Sequence, residues 1–353
     1  MSPIPAVTCA DFDAFDTIID VRSPAEYALD RVPGAVSAPV LDDAERARIG
    51  TLHKQVSAFA ARKAGAALVA RNIARHLEEQ FHDRPREWRP LIYCWRGGQR
   101  SGSMAEIFSR IGWRVGQLEG GYRAYRRFVL QRLDEAPATL RFQIVCGVTG
   151  SGKSRLLRAL AAAGAQVLDL EDIALHRGSV LGSLPGRAQP SQKMFESLVR
   201  HALDGFDPAR PVFVEAESKK IGALQVPDAL MMRMRASPCI RLDLDLPLRV
   251  ALLKDEYAHF LADGPALGER FDCLVALHGR ERIAQWKALG AARAWDALVT
   301  RLLTEHYDPA YLRGMPRNYA GYEAARRLGI TELSDAAFAS AAQALVAGAA
   351  AGA

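Results

Sequence analysis

The sequence predicts an α/β chain of two units, each built on a parallel sheet, with the second closing in a helical region. Three observations carry this. Short β-branched apolar runs alternate with longer helix-patterned segments, and the alternation starts afresh after Glu135-Ala136-Pro137. A glycine-rich turn at 147–154 stands between an apolar run and a helical one. The length, 353 residues, fits two domains better than one. The expected division is 1–137 and 138–353.

Residues 16–21 (DTIIDV) predict a short strand. Pro24 then opens a helix, with Ser23 as N-cap and Glu26 at the capping-box spacing. RVPGAVSAPV reads as a turn and another short strand. Residues 42–82 carry Ala, Leu, Arg and Glu at helical spacing. Residues 90–94 (PLIYC) read as a buried strand broken by Gly97-Gly98, followed by a helix from Arg100 to about Ile111. A strand at 113–118 leads to Gly120-Gly121, and 122–138 form a connecting helix. In the second unit, strands are expected at 141–146, 166–170, 211–215 and 239–244, with a helix from the glycine-rich turn to about Ala163. From Pro247 onward the pattern is mostly helical. The tail AAQALVAGAAAGA is of low complexity and is expected to fray.

Composition bounds the function. At 49% hydrophobic and 24% charged residues, a mainly disordered chain is excluded. No apolar run reaches the roughly 18 residues that span a bilayer. MSPIPAVTCADFD has neither a basic segment nor an apolar core, so no secretory signal is expected. Five cysteines, odd and sparse, argue against a disulfide framework and for the reducing cytoplasm. The net charge is +6, and 38 of the 46 basic residues are arginine. This permits a polyanionic partner such as RNA without demanding one, and a GC-rich genome gives the same arginine excess.

Gly147-Val148-Thr149-Gly150-Ser151-Gly152-Lys153-Ser154 fits G-x-x-x-x-G-K-[ST], between a strand and a helix as the motif requires. The backbone N–H groups of Gly147, Thr149, Gly150, Ser151 and Gly152 can wrap an anion at the helix N-terminus. Lys153 would reach the terminal phosphate, and Ser154 would ligate Mg²⁺. The second unit is therefore expected to be P-loop NTPase-like. Glu215 and Asp169 each end an apolar strand; either could order a metal or a water, or simply end a strand in solvent. His176 and Arg177 follow in LEDIALHRGS as substrate-side candidates, with a structural role open for His176.

Cys94-Trp95-Arg96-Gly97-Gly98-Gln99-Arg100-Ser101 stands between a buried strand and a helix. A thiol there faces backbone N–H groups and a helix dipole, which favour thiolate. Arg96 and Arg100 add positive charge, and Gly97 and Gly98 let the loop close on an anion. Cys146 and Cys239 read as buried strand-end cysteines; Cys9 and Cys273 lack such a setting.

The spacing C-x5-R-S resembles the loop of cysteine-dependent phosphatases, but the upstream words decide otherwise. Asp20-Val21-Arg22-Ser23-Pro24-Ala25-Glu26-Tyr27, Val32-Pro33-Gly34-Ala35 and Leu118-Glu119-Gly120-Gly121-Tyr122 resemble the rhodanese signatures. The loop is a residue longer than in common rhodaneses, room for a bulkier anion such as a phosphate bearing selenium. A rhodanese-like domain followed by a P-loop domain, with DDAERARIGTLHKQ, YCWRGGQRSGSMA, DLEDIALHRGS, QPSQKMFES and VFVEAESKKIG, resembles the bacterial tRNA 2-selenouridine synthase family over nearly the whole chain.

The resemblance implies replacement of sulfur by selenium in wobble 2-thiouridine of tRNA. Geranyl diphosphate would first alkylate the sulfur. Selenophosphate would then displace the geranyl thiol, with Cys94 holding selenium as a selenosulfide. It also implies a selenophosphate-producing enzyme as a source and no membrane. Trp95 could stack on the base. Tyr122, Arg123, Tyr125, Arg126 and Arg127 form an aromatic–basic cluster, either RNA-facing or the solvated face of a connecting helix; Lys219 and Lys220 face the same choice. The alternative is a P-loop kinase or NTPase with a rhodanese-like regulatory domain. A cysteine phosphatase and a non-catalytic tRNA-binding protein rank lower.

Overall fold

The computed structural model describes residues 4–179, 182–183, 186–258 and 264–351. They form two compact units: Met1–Leu133 with Pro190–His201, and Asp134–Gln189 with Ala202–Ala353. The segment 190–201, which holds all of the QPSQKMFES word but Gln189, thus belongs to the first unit although the second unit has already begun before it in the sequence.

The first unit holds β1 (Ala6–Val7), β2 (Thr17–Asp20), α1 (Pro24–Leu29), β3 (Val36–Ser37), α2 (Asp43–Gln55), α3 (Ala58–His76), β4 (Pro90–Tyr93), α4 (Gln99–Ile111), β5 (Gly116–Leu118) and most of α5 (Gly121–Thr139). The sheet is parallel, in the order β1-β5-β4-β2-β3. All four residues of β4 are buried, as expected of a central parallel strand covered on both faces. Behind it, Phe81, Trp88, Phe108 and Trp113 pack edge-to-face and stacked, with Trp88 and Trp113 perpendicular at 5.0 Å. α4 presents Met104, Ala105 and Phe108 to this core and stops at Gly112 in a left-handed conformation.

The second unit follows with β6 (Arg141–Cys146), α6 (Lys153–Ala162), β7 (Gln166–Leu168), α7 (Leu170–Ala174), α8 (Gln192–Asp204, shared with the first unit), β8 (Pro211–Glu215), β9 (Lys220–Ile221), β10 (Leu224–Gln225), α9 (Asp228–Arg235) and β11 (Pro238–Leu244). Then come α10 (Leu246–Glu256), α11 (Gly264–Arg270), α12 (Val275–His278), α13 (Arg280–Ala291), α14 (Trp295–Leu302), α15 (Asp308–Asn318), β12 (Gly321–Ile330) and α16 (Asp335–Ala351). The parallel sheet runs β12-β11-β6-β8-β7, so the chain steps to one side of β6 and then to the other. The crevice beyond the carboxyl end of such a strand is where α/β sheets bind ligands.

The C-terminal region is mostly helical, as expected, with a strand within it, and one expectation for it needs correction. GYEAARRLGI, rich in helix formers, is strand β12; Ile240–Leu244 of β11 pairs with Arg326–Ile330, and Leu328 and Ile330 join the core. The tail is not frayed to Ala351: α16 lays Phe338, Ala341, Ala342 and Leu345 against Leu156, Leu157 and Leu160. Gly352 and Ala353 lie outside the described residues. Among the described residues, no helix is long and apolar enough to cross a membrane.

Candidate active sites: a cysteine loop and a phosphate loop

β4 ends by delivering Cys94 to a loop that turns straight into α4. The side chain is buried at 3% exposure. Two glycines hold the loop back to back. Gly97 and Gly121 both adopt positive φ, and a Cβ on Gly121 would collide with the Cys94 carbonyl and the Gly97 nitrogen. The start of α5 thereby closes on the loop: Tyr122 N–H donates to the Cys94 carbonyl at 2.8 Å and Arg123 N–H to the Trp95 carbonyl at 3.2 Å. Gln117 of β5 donates to the Gly97 carbonyl at 2.8 Å.

With its carbonyls tied behind it, the loop turns donors toward the sulfur. Burial alone would raise the Cys94 pKa. The Ser101 hydroxyl, 3.2 Å from Sγ, the N–H groups of Ser101 and Arg96, and the charge of Arg100 outweigh it, and the thiol is held below its ordinary value. Gln117 also donates to Ser101 Oγ at 2.8 Å, leaving the hydroxyl proton free to point at sulfur.

Other candidates divide. Arg100 pairs with Glu26 at 3.1 Å, so its charge is shared with the end of the DVRSPAE word. The Arg96 side chain is exposed and contributes its N–H at the thiol. Gly98 caps α4 with open space around it. Trp95, 36% exposed, stacks on Tyr122 at 5.2 Å, which leaves its outer face for a base. Tyr122 and Tyr125 are buried. Tyr122 donates to Asp30 at 2.8 Å, Ser197 of α8 donates to the same carboxylate at 2.8 Å, and the Arg22 guanidinium lies 4.0 Å over the Tyr122 ring. These two tyrosines are therefore core, not an RNA platform. Arg126 pairs with Glu196, Lys219 pairs with Asp228, and Arg123, Arg127 and Lys220 are exposed.

The phosphate loop leaves β6 at Gly147 and enters α6 at Lys153. Gly150 and Gly152 take positive φ, which lets the backbone curl around a site for an anion. Arg249, buried and paired with Asp308 at 2.6 Å, grips the Thr149 carbonyl at 2.8 and 2.9 Å from below. Ser151 is fully buried, and its hydroxyl has no hydrogen-bond partner among the described residues. Lys153 folds back onto the Gly147 carbonyl at 2.9 Å, and Gly147 N–H donates to the Tyr311 hydroxyl at 2.6 Å. A cavity of about 460 Å³ opens here, lined by the loop, Arg158, Asp169, His176 and Arg177 among others.

Asp169 lines this cavity but also caps α7, accepting from Asp172 N–H at 2.8 Å. His176 is buried, and that burial pushes its imidazole below the ordinary value. Arg177 donates to the Glu256 carbonyl at 2.8 Å and lies over Tyr257 at 4.7 Å. Glu215 is sealed off at 2% exposure. Burial pushes its carboxyl well up, and it accepts from Glu171 N–H at 3.0 Å. The acids that face Lys153 are instead Glu171 and Glu217, which hydrogen-bond each other. Ser154 donates to Glu171 at 3.3 Å. Both follow by two residues a strand-end acid singled out from the sequence. Ser101 stands in the C-x5-R-S spacing without a role read from it, and Gln117, Arg249 and Tyr311 reach their sites through folding rather than by a motif.

Two family profiles match the chain: a Rhodanese-like domain over residues 10–127 and a tRNA 2-selenouridine synthase AAA domain over residues 140–266. Curated relatives extend the likeness across both. Proteins named tRNA 2-selenouridine synthase are 32% identical in Bdellovibrio bacteriovorus (86% of this chain, 89% of that protein), 34% in Shewanella halifaxensis (83% and 87%) and 33% in Cupriavidus necator (83% and 87%). A thiol loop and a phosphate loop in one chain, matched over most of its length in this way, place it in the tRNA 2-selenouridine synthase family.

Proposed function

We propose that the protein is an enzyme that modifies tRNA, exchanging the sulfur of wobble 2-thiouridine for selenium in two steps. The observation that carries the reading is Cys94: a buried thiol with lowered pKa in a ring of donors, in the same chain as a second, lysine-bearing anion cradle.

In the first step the thiocarbonyl sulfur attacks C1 of geranyl diphosphate. A C–S bond forms, the C1–O bond breaks, pyrophosphate leaves with the electron pair and the base loses its N3 proton. The backbone of 147–152 and Lys153 would bind the leaving diphosphate. A magnesium ion carried with it would take oxygens from Ser154 and Glu171 and neutralise charge on the leaving group. In the second step, S-geranyl-2-thiouridine, selenophosphate and water give 2-selenouridine, geranylthiol and phosphate. Alkylation turns a thiocarbonyl into a leaving thiol: the Cys94 thiolate would attack C2 of the base, forming a C–S bond as the C2–S bond to geranyl breaks and geranylthiol leaves with a proton. Selenium of selenophosphate would then attack C2, Cys94 would leave as thiolate, and water would cleave the Se–P bond to release phosphate. Arg96 and Arg100 supply positive charge to the selenophosphate.

The test is mass analysis of wobble nucleosides after incubation with 2-thiouridine-bearing tRNA, geranyl diphosphate and selenophosphate. Wild type should yield 2-selenouridine. Cys94→Ala should stop at the S-geranyl nucleoside, and Lys153→Ala should slow its formation at least a hundredfold. Selenation that persists in Cys94→Ala would overturn the role of Cys94. An unchanged tRNA in all cases would overturn the whole reading.

A further inference from the structure

The phosphate cavity does not end at the loop. Thr149, Ser179, Leu253 and Tyr257 also line a second, narrow slot that runs on between α10 and α14. Its lining is largely hydrocarbon, from Leu253, Leu267, Leu298, Val299, Leu302 and Leu303. Two of its polar side chains, Tyr257 and Tyr307, share the Ser179 hydroxyl as hydrogen-bond partner. Leu253 stands at the neck, against Gly150 of the loop. The slot measures about 60 Å³; counted in water-sized spheres, that is room for roughly four to six waters.

An anion cradle opening into a dry alkyl slot selects a ligand with both features. A nucleotide base would bury its donors and acceptors in the slot without partners. A hydrocarbon tail would lose nothing and gain burial. We infer that this slot receives the hydrocarbon tail of an alkyl diphosphate whose phosphates sit on the phosphate loop, and that Leu253, Val299 and Leu302 set the length accepted. The inference rests on the reading of the phosphate loop as a diphosphate cradle and adds residues that govern specificity.

The full chain is titrated calorimetrically with inorganic pyrophosphate, with dimethylallyl, geranyl and farnesyl diphosphates, and with ATP. Wild type should bind geranyl diphosphate at least tenfold tighter than pyrophosphate, since each buried methylene adds affinity. Val299→Phe, at a half-buried wall position, should erase that gain for geranyl but not for dimethylallyl diphosphate, with pyrophosphate affinity kept. Leu302→Ala should tighten farnesyl diphosphate about fivefold or more. Thermal melts of both variants check that they fold. If pyrophosphate binds but no tail adds affinity, or if neither variant changes the order of chain lengths, the slot assignment is overturned and the cradle stands. If neither pyrophosphate nor any alkyl diphosphate binds, or ATP outcompetes them all, the cradle reading itself falls.

Discussion

Five cysteines share one chain and differ only in surroundings. Burial pushes Cys9 up to about 11, and Cys146 rises through its hydrogen bond to Cys239 together with burial. Cys94 is also buried, yet its pKa falls, because donors converge on the sulfur. Its loop was readable in the sequence, since Gly-Gly and arginines around a strand-end cysteine have few other uses. The donor that matters most was not, because Ser101 is aimed by Gln117 from a neighbouring strand. Ser101→Ala removes a hydrogen bond to the charged form, so the thiol pKa should rise. The rate of Cys94 alkylation by iodoacetamide, followed on its own peptide by mass, should move to higher pH. An unmoved profile would mean that the N–H groups and Arg100 alone hold the thiolate.

Strands and helices were readable wherever apolar period and local chemistry agreed. The central strands β4, β6 and β8 are nearly continuous apolar runs, and both functional loops leave such strands. β12 and α16 were not readable. Alanine and arginine in 321–330 favour a helix locally, and only pairing with β11 makes them a strand. The alanine-rich tail looks featureless, yet most of it continues helix α16, whose Phe338 ring approaches Gly152 of the phosphate loop. The family likeness and the sheet order thus leave the loop's support to a helix that composition alone would have discarded. Phe338→Ala should cost about 3–5 kcal/mol, the range for a fully buried phenylalanine. The melting of the second unit should fall accordingly, while Cys94 alkylation in the first keeps its pH profile. An equal loss in both would show that the two units unfold together.

On the scale of the whole molecule, a chain of net charge +6 gathers carboxylates beside one of the two places where an anion is to bind. Glu171, Glu215 and Glu217 crowd the foot of the phosphate loop, and Lys153 faces Glu171 and Glu217 with positive charge. Burial first, then the charge of Glu171, pushes Glu217 up to about 8. The folded state therefore holds a proton that the unfolded chain releases near pH 4.5. Stability from this group is complete below that pH and is lost as pH rises through about 8, because the folded state binds more protons across the window. Glutamine keeps the donor toward Glu171 without the charge. Glu217→Gln should thus match wild type at pH 5 and melt higher at pH 8.5, with the gap opening between. An anion bound at Lys153 adds negative charge beside the same acids and should hold the Glu217 proton to still higher pH. Pyrophosphate binding near pH 8 should then take up protons, seen as a dependence of the calorimetric heat on the ionisation enthalpy of the buffer. Glu217→Gln should weaken that dependence. Binding with the same buffer dependence in both proteins would assign the proton to another group.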